Sequence, residues 1–351
     1  MVKLPYATGM ALPRFGLLLF LVSTLLTTGC GLFGAHTKVQ VPQLLTPLAV
    51  ANKASLMQEV NRLAAIKSIH GKVDIQFEDT SFASSGIAEK YRQVDGAITL
   101  QRPGQIYLII QFTFVDIAQM ASDGEHFSVA VLKGDDKYRR FVKGTNNAIY
   151  AKLDGDDSAV ESKKVKQKTE KETVSALSNL RPQHLTDALM VRPITADDSL
   201  IYSQSQFFQE EPDNRLQAKK GTRIMRGYYL LEEFSQPTAG EARLLRRFWF
   251  DRVGGIRLAR LQTFDERGFL ITDVSYSNET PFGNTAQVTL PSRIELTRPQ
   301  DQYKLSITYQ DPASVELNKE FRPEAFVLEN KWQLPEVDLD AQRIKKVTAN
   351  H

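Results

Sequence analysis

Cysteine is nearly missing from this chain. Cys30 is the only one among 351 residues, so no internal disulfide can staple the fold. Histidine is scarce and scattered: His36, His70, His126, His184 and His351 include no pair at metal-ligand spacing with each other or with the cysteine, which leaves no zinc pattern. Asp154, Asp156 and Asp157 cluster, but the closing glutamate of a calcium loop is missing. Neither a Gly-x-Ser-x-Gly elbow nor a glycine-rich phosphate loop occurs. Nothing in the sequence therefore supports catalysis, and neither a metal nor a cofactor is expected. Excess charge is missing as well. The formal net charge is +3, of which Lys3 and Arg14 contribute two, so there is little electrostatic pull on nucleic acid. After the first thirty residues no apolar run is long enough to cross a bilayer as a helix.

What the chain does have is an apolar run that ends on its one cysteine. Lys3 and Arg14 give a positive front with no acidic residue before Cys30, Leu17 to Leu26 form an apolar core, and small residues Thr27, Thr28 and Gly29 precede the cysteine. These are the three parts of a secretory signal. The end of the run resembles a bacterial lipobox, with Thr27 where leucine is usual. The expectation is a signal peptide over residues 1–29 and a mature protein acylated on Cys30. Two or more acyl chains anchor a protein stably, whereas one holds only marginally. Gly31 follows the cysteine where lipoproteins retained at the inner membrane usually carry aspartate. That resemblance implies an outer-membrane lipoprotein facing the periplasm, with membrane lipid as its first partner.

The chain as a whole has a globular composition, 42% hydrophobic and 24% charged. Residues 30–52 read as a lipidated terminus and tether, stiffened by Pro42 and Pro47 and able to span about 65 Å when extended. Ser55 with Gln58 fits a capping box, and Leu56, Val60 and Leu63 recur at helical spacing, which predicts a helix ending near Ser68. Strands follow at 69–78, 86–101, about 105–112, 116–122, 126–132 and 137–143. Asp123-Gly124 marks a hairpin turn. Residues 144–198 interrupt the series as an insertion. Its charged stretch 161–172 reads as a solvated surface, and Pro182 opens a short helix carrying Leu185 and Leu189. Strands resume at 199–208, 223–234, 244–251, 256–265, 269–277, 287–297 and 303–310, and 336–351 is a tail. The whole is an α+β pattern with a large antiparallel sheet.

Within it, residues 95–127 run Asp-Gly-Ala-Ile-Thr-Leu-Gln-Arg102-Pro103-Gly-Gln-Ile-Tyr-Leu and then Ala-Ser-Asp123-Gly124-Glu-His-Phe127. Leu290-Pro-Ser-Arg-Ile294 and Phe321-Arg-Pro-Glu-Ala-Phe326 look like closing strands of the same kind of domain. The pattern resembles the bacterial lipoprotein-sorting family of the LolA carrier and LolB receptor over about residues 53–335. The resemblance implies an unclosed half β-barrel: a strongly curved antiparallel sheet whose concave face is covered by helices and whose apolar hollow receives acyl chains. It implies that Arg102 holds the lid by hydrogen bonds; read by itself, Arg102 is equally a surface charge at a strand end. It places a membrane-contacting loop near Phe114, whereas burial tendency alone places Phe114 in the core. Ile106, Leu108, Ile110, Phe112, Leu305 and Ile307 are candidates to line the hollow. The chain exceeds the usual carrier or receptor domain in size.

Three functions compete on this reading. The first is an outer-membrane lipoprotein, not an enzyme, that receives or moves lipoproteins or lipids. The second is a structural subunit whose hollow is filled by its own side chains and which docks on an envelope assembly. The third, an envelope hydrolase, requires Ser, His and Asp to converge in a pocket.

Overall fold

Period-two alternation builds most of this fold. A computed structural model describes residues 41–80, 89–90, 92–134, 136, 138–146, 148, 150, 180–195, 197, 199–215, 217–236, 240–284 and 288–343. The expected signal peptide, Cys30 and the stretch 161–172 lie outside them. The strands are β1 Gln43–Leu44, β2 Ser68–Asp79, β3 Glu89–Lys90, β4 Val94–Gln101, β5 Gln105–Phe112, β6 Val115–Ser122, β7 His126–Val131, β8 Arg140–Thr145 and β9 Leu200–Pro212. They continue as β10 Arg223–Ser235, β11 Leu244–Asp251, β12 Arg257–Phe264, β13 Leu270–Phe282, β14 Val288–Arg298, β15 Tyr303–Tyr309, β16 Glu316–Leu317 and β17 Glu336–Asp338. The helices are α1 Lys53–Ala64 and α2 Pro182–Leu189.

Most neighbours are consecutive in sequence and antiparallel, running β9-β10-β11-β12-β13-β14-β15, then β2-β4-β5-β6-β7-β8. Among the described residues β9 pairs only with β10 and β17 only with β8, so the 17-stranded sheet does not close. The expected all-antiparallel sheet is in fact mixed, because β1 lies parallel to β10 and β17 parallel to β8. Both are short segments laid alongside rather than hairpin partners, and only hairpins force antiparallel pairing. β1 falls in the expected tether, and Leu45 just after it is buried.

The two expected strands 199–208 and 269–277 run on to Pro212 and Phe282, because the backbone ladder with their neighbours continues where side-chain alternation has already lapsed. The segment 86–101 is two strands, and both pair with β2. Helix α1 is capped by Asn52, whose side chain accepts the Ser55 N–H at 2.9 Å. It ends at Ala64 rather than near Ser68, because Ser68 already pairs with Gln101 in the sheet and Lys67 N–H donates to Asn318.

One face of most long strands feeds a single core, to which β9 adds only the half-buried Tyr202. Val73, Ile75, Ile98, Leu108, Val129, Leu231, Phe248, Val274, Leu296 and Leu305 belong to it, with Leu56 and Val60 of α1 and Leu185 of α2. The opposite face carries ion pairs such as Arg247–Glu232, Arg260–Asp273 and Lys304–Glu295.

The sheet must bend. Arg181, the residue that precedes α2, lies over Phe127 of β7, and Ala188 in the last turn of α2 accepts a hydrogen bond from Tyr276 of β13. In a flat sheet, β7 and β13 are seven strand spacings apart, about 34 Å. Seven helical residues cover about 10 Å, and the two side chains do not make up the difference.

Candidate functional site

The β4–β5 and β6–β7 turns meet at one end of the sheet. Gly124 permits this approach: its φ is +106°, and a Cβ there would lie 2.7 Å from the Pro103 carbonyl oxygen. Arg102 stands at this junction. Its Nε donates to Ile66 O at 2.9 Å, Nη1 to Met190 O at 3.4 Å and Nη2 to Val191 O at 2.7 Å. It therefore ties the end of α1 to the segment that follows α2. Among the described residues it forms no ion pair, and burial pulls its guanidinium pKa down from a value so high that it stays cationic.

A second arginine holds the same segment from the far side. Arg246 of β11 donates to Arg192 O at 3.2 Å and Pro193 O at 3.4 Å. It is aligned by a two-point pair with Glu233 of β10, at 2.7 and 2.5 Å. Tyr202 of β9 donates its hydroxyl to the same carboxylate at 2.7 Å. Asn61 of α1 closes a third side, exchanging two bonds with the Ile194 backbone at 3.0 and 2.8 Å. Residues 190–194 are thus clasped between β4, β11 and α1.

Under this clasp lies an apolar cavity of about 40 Å³, lined by Leu63, Ile66, Leu189, Tyr276, Leu290 and Tyr309 among others. Burial pushes both phenol pKa values up. Outside the clasp opens a cleft of about 1470 Å³ with a mixed lining. Met190 lines both spaces. His184 of α2 forms part of the cleft wall, its Nδ1 2.7 Å from the Tyr303 hydroxyl.

Burial first, then the nearby Arg298 and Arg181, bring the His184 imidazole from 6.5 down to about 3. An unfolded chain takes up this proton near pH 6.5, while the folded chain stays neutral until about pH 3. The unfolded state therefore binds more protons between these values, and stability falls as pH drops through that window. The slope from this group is about 1.4 kcal/mol per pH unit. Urea titrations between pH 7 and pH 5 should show this extra slope in the native sequence and its loss in His184→Gln. Equal slopes would mean that the imidazole is charged or exposed.

The sequence-derived candidates separate. Ile106, Leu108, Ile110, Leu305 and Ile307 are buried in the common core, and Phe112 is half-buried with Arg92 over its ring at 4.4 Å. None of the six lines the small cavity. Phe114 corrects the burial-based expectation: it is 95% exposed. Phe112 pairs with Val115, which leaves a two-residue turn, and Thr113 and Phe114 take φ of 46° and 68°. A turn that tight throws both side chains off the end of the sheet.

Sequence reasoning missed Arg246, Glu233 and Asn61. No motif marks them, and the Glu233↔Arg246 pairing exists only once β10 and β11 are in register. Among the described residues no helix is long and apolar enough to cross a membrane, and no group of His, Cys, Asp and Glu is placed to hold a metal ion.

The molecule is thus an open, bent sheet around an apolar core, with one clasped segment between that core and a cleft. No protein-family model matches the chain, and no curated protein matches it. Solved structures are similar to it. One is a LolA superfamily protein from Nitrosomonas europaea, with 10% identity, 80% of this chain and 99% of that chain covered, and a TM-score of 0.39. A DUF1329 family protein from Desulfovibrio piger gives 10% identity, 78% and 95% coverage, and 0.38. A putative outer membrane lipoprotein-sorting protein domain from Vibrio parahaemolyticus gives 11% identity, 80% and 97% coverage, and 0.37.

Proposed function

We propose that this protein is an outer-membrane lipoprotein, anchored through acylated Cys30, that takes acyl chains of lipoproteins or lipids into the interior of its sheet. In this reading α1 and α2 cover the concave face, and residues 190–194 are the lid. The observation that carries it is the clasp of residues 190–194 by Arg102, Arg246 and Asn61 directly over an apolar cavity. A cavity of about 40 Å³ is far below the roughly 150 Å³ that admits benzene, so as it stands it is too small for an acyl chain. Loading requires the clasp to release and the lid to move. Burial of the chain then contributes about 25 cal/mol for each Å² of apolar surface removed from water.

The test is to purify the full-length protein gently from its own membranes and extract its lipid for mass spectrometry, alongside titration with a fluorescent acyl probe. Stoichiometric co-purifying acyl lipid and saturable probe binding are the expected results. Absence of both would leave the second reading, a structural subunit that docks on an envelope assembly. The small size of the cavity under the clasp favours that alternative.

Phe114 is assigned here to membrane contact. Burying one phenylalanine side chain contributes about 1.5–3 kcal/mol. In a Cys30→Ser background, which removes the acyl anchor, Phe114→Ser should lower partition onto phospholipid vesicles by about tenfold. Because the side chain touches little of the protein, its effect on unfolding should stay within about 0.5 kcal/mol. Unchanged vesicle partition would remove Phe114 from the membrane surface.

A further inference from the structure

Arg181 differs from the other arginines around the cleft. Arg192 pairs with Asp187, Arg246 with Glu233 and Arg298 with Asp301, and the donors of Arg102 go to backbone carbonyls. Arg181 makes no ion pair among the described residues, and its Nη1 is buried with no hydrogen-bond partner. The guanidinium is fixed all the same. It lies 5.4 Å from the Phe127 ring centre and 5.2 Å from that of Tyr150. Gly144 makes room for those rings, since a Cβ there would come within 2.9 Å of Phe127 and 3.1 Å of the Tyr150 hydroxyl oxygen. A buried cation with an idle donor is costly unless something pairs with it, and aromatic faces hold the planar fork without satisfying its hydrogen bonds.

The surroundings define what would pair. Arg181 and Arg298 both act on the His184–Tyr303 pair, and Asp301 is the carboxylate in the same group. With His184 neutral, two guanidiniums and one carboxylate leave one positive charge, which suits a single anionic group. The cleft opens at this point, and Met190, which lines it, also lines the apolar cavity.

We propose that Arg181 receives the oxyanion head of an acylated ligand, a carboxylate or a phosphate, while the chain passes Met190 into the interior. This rests on the acyl-binding function proposed above and adds the class of ligand: an acyl chain with an anionic head. The fork gives two parallel charge-assisted bonds to such a group.

The test compares cis-parinaric acid with its methyl ester on the full-length protein. The acid should bind at least tenfold more tightly than the ester. Arg181→Gln should erase that gap and leave ester binding within about twofold, and Arg181→Lys should restore part of it. Equal binding of acid and ester by the native protein overturns the assignment while leaving acyl binding intact. Failure of both probes overturns acyl binding and this assignment together. Should Arg181→Gln not fold, the native acid-to-ester ratio still decides. Two competitors identify the head: displacement of the acid by lysophosphatidic acid supports a lipid phosphate. Displacement by inorganic phosphate alone marks a small-anion site and overturns the lipid assignment.

Discussion

Replacing Arg246 by alanine is expected to destabilise this protein by about 3–5 kcal/mol, measured by urea unfolding. The cost comes from the partner left behind. Glu233 is only 4% exposed, and without Arg246 its carboxylate keeps just the Tyr202 hydroxyl. A buried charge stripped of its counter-charge is far more costly than the pair itself is stabilising. The double variant Arg246→Met with Glu233→Leu removes both charges and should recover most of the loss. The segment 190–194 would respond separately. Both variants free the Arg192 and Pro193 carbonyls, so both should admit an acyl probe faster than the native protein. A loss below about 1 kcal/mol for Arg246→Ala would mean that water reaches Glu233 and that the clasp is open in solution.

Leu305→Ala should cost about 2–5 kcal/mol, the range for deleting a buried leucine without full collapse of the site. Leu305 is fully buried in β15, between Leu296 of β14 and Phe77 of β2 in the ladder. Its neighbour Lys304 points to the other face and pairs with Glu295 there. Lys304→Ala should therefore stay within about 0.5 kcal/mol. The larger variant also separates the two functions. If the interior accepts acyl chains, the new apolar void adds room for them, and probe affinity should hold or rise while stability falls. In a self-filled structural subunit only stability changes. A cost under about 1 kcal/mol would place Leu305 outside a close-packed interior.

Much of this architecture was legible along the chain. Ile106, Leu108, Ile110 and Phe112 recur at every second position, with Gln105 and Gln111 on the other face, and a strand with one buried face declares itself by that period. Asp123-Gly124 marked its turn because glycine takes the positive φ that the turn requires. The helix end near Ser68 was misplaced because nothing local opposes another turn; the competing demand comes from Gln101 in β4. The lengths of β9 and β13 were underestimated because backbone pairing does not depend on side-chain alternation.

The candidate site was less legible. Arg102 could be found because it sits in a recurring strand-end pattern. Arg246 and Glu233 could not, since each is one more charged residue on a strand until the sheet is in register. Phe114 was drawn toward the core by its apolarity, a tendency that holds for residues within strands and fails at a two-residue turn.

By itself the sequence determined the apolar leader ending on Cys30, the succession of the long strands along the chain and the apolar face of strands such as Gln105–Phe112 and Tyr303–Tyr309, because these depend on residues only a few positions apart. The tertiary structure alone decided that residues 190–194 lie under Arg102 and Arg246, two arginines distant in sequence, that Arg181 forms no ion pair among the described residues, and that the apolar cavity beneath the clasp is only about 40 Å³. Those outcomes depend on how far the sheet bends and which strands it brings together. Curvature is a property of the whole ladder that no short stretch of sequence encodes.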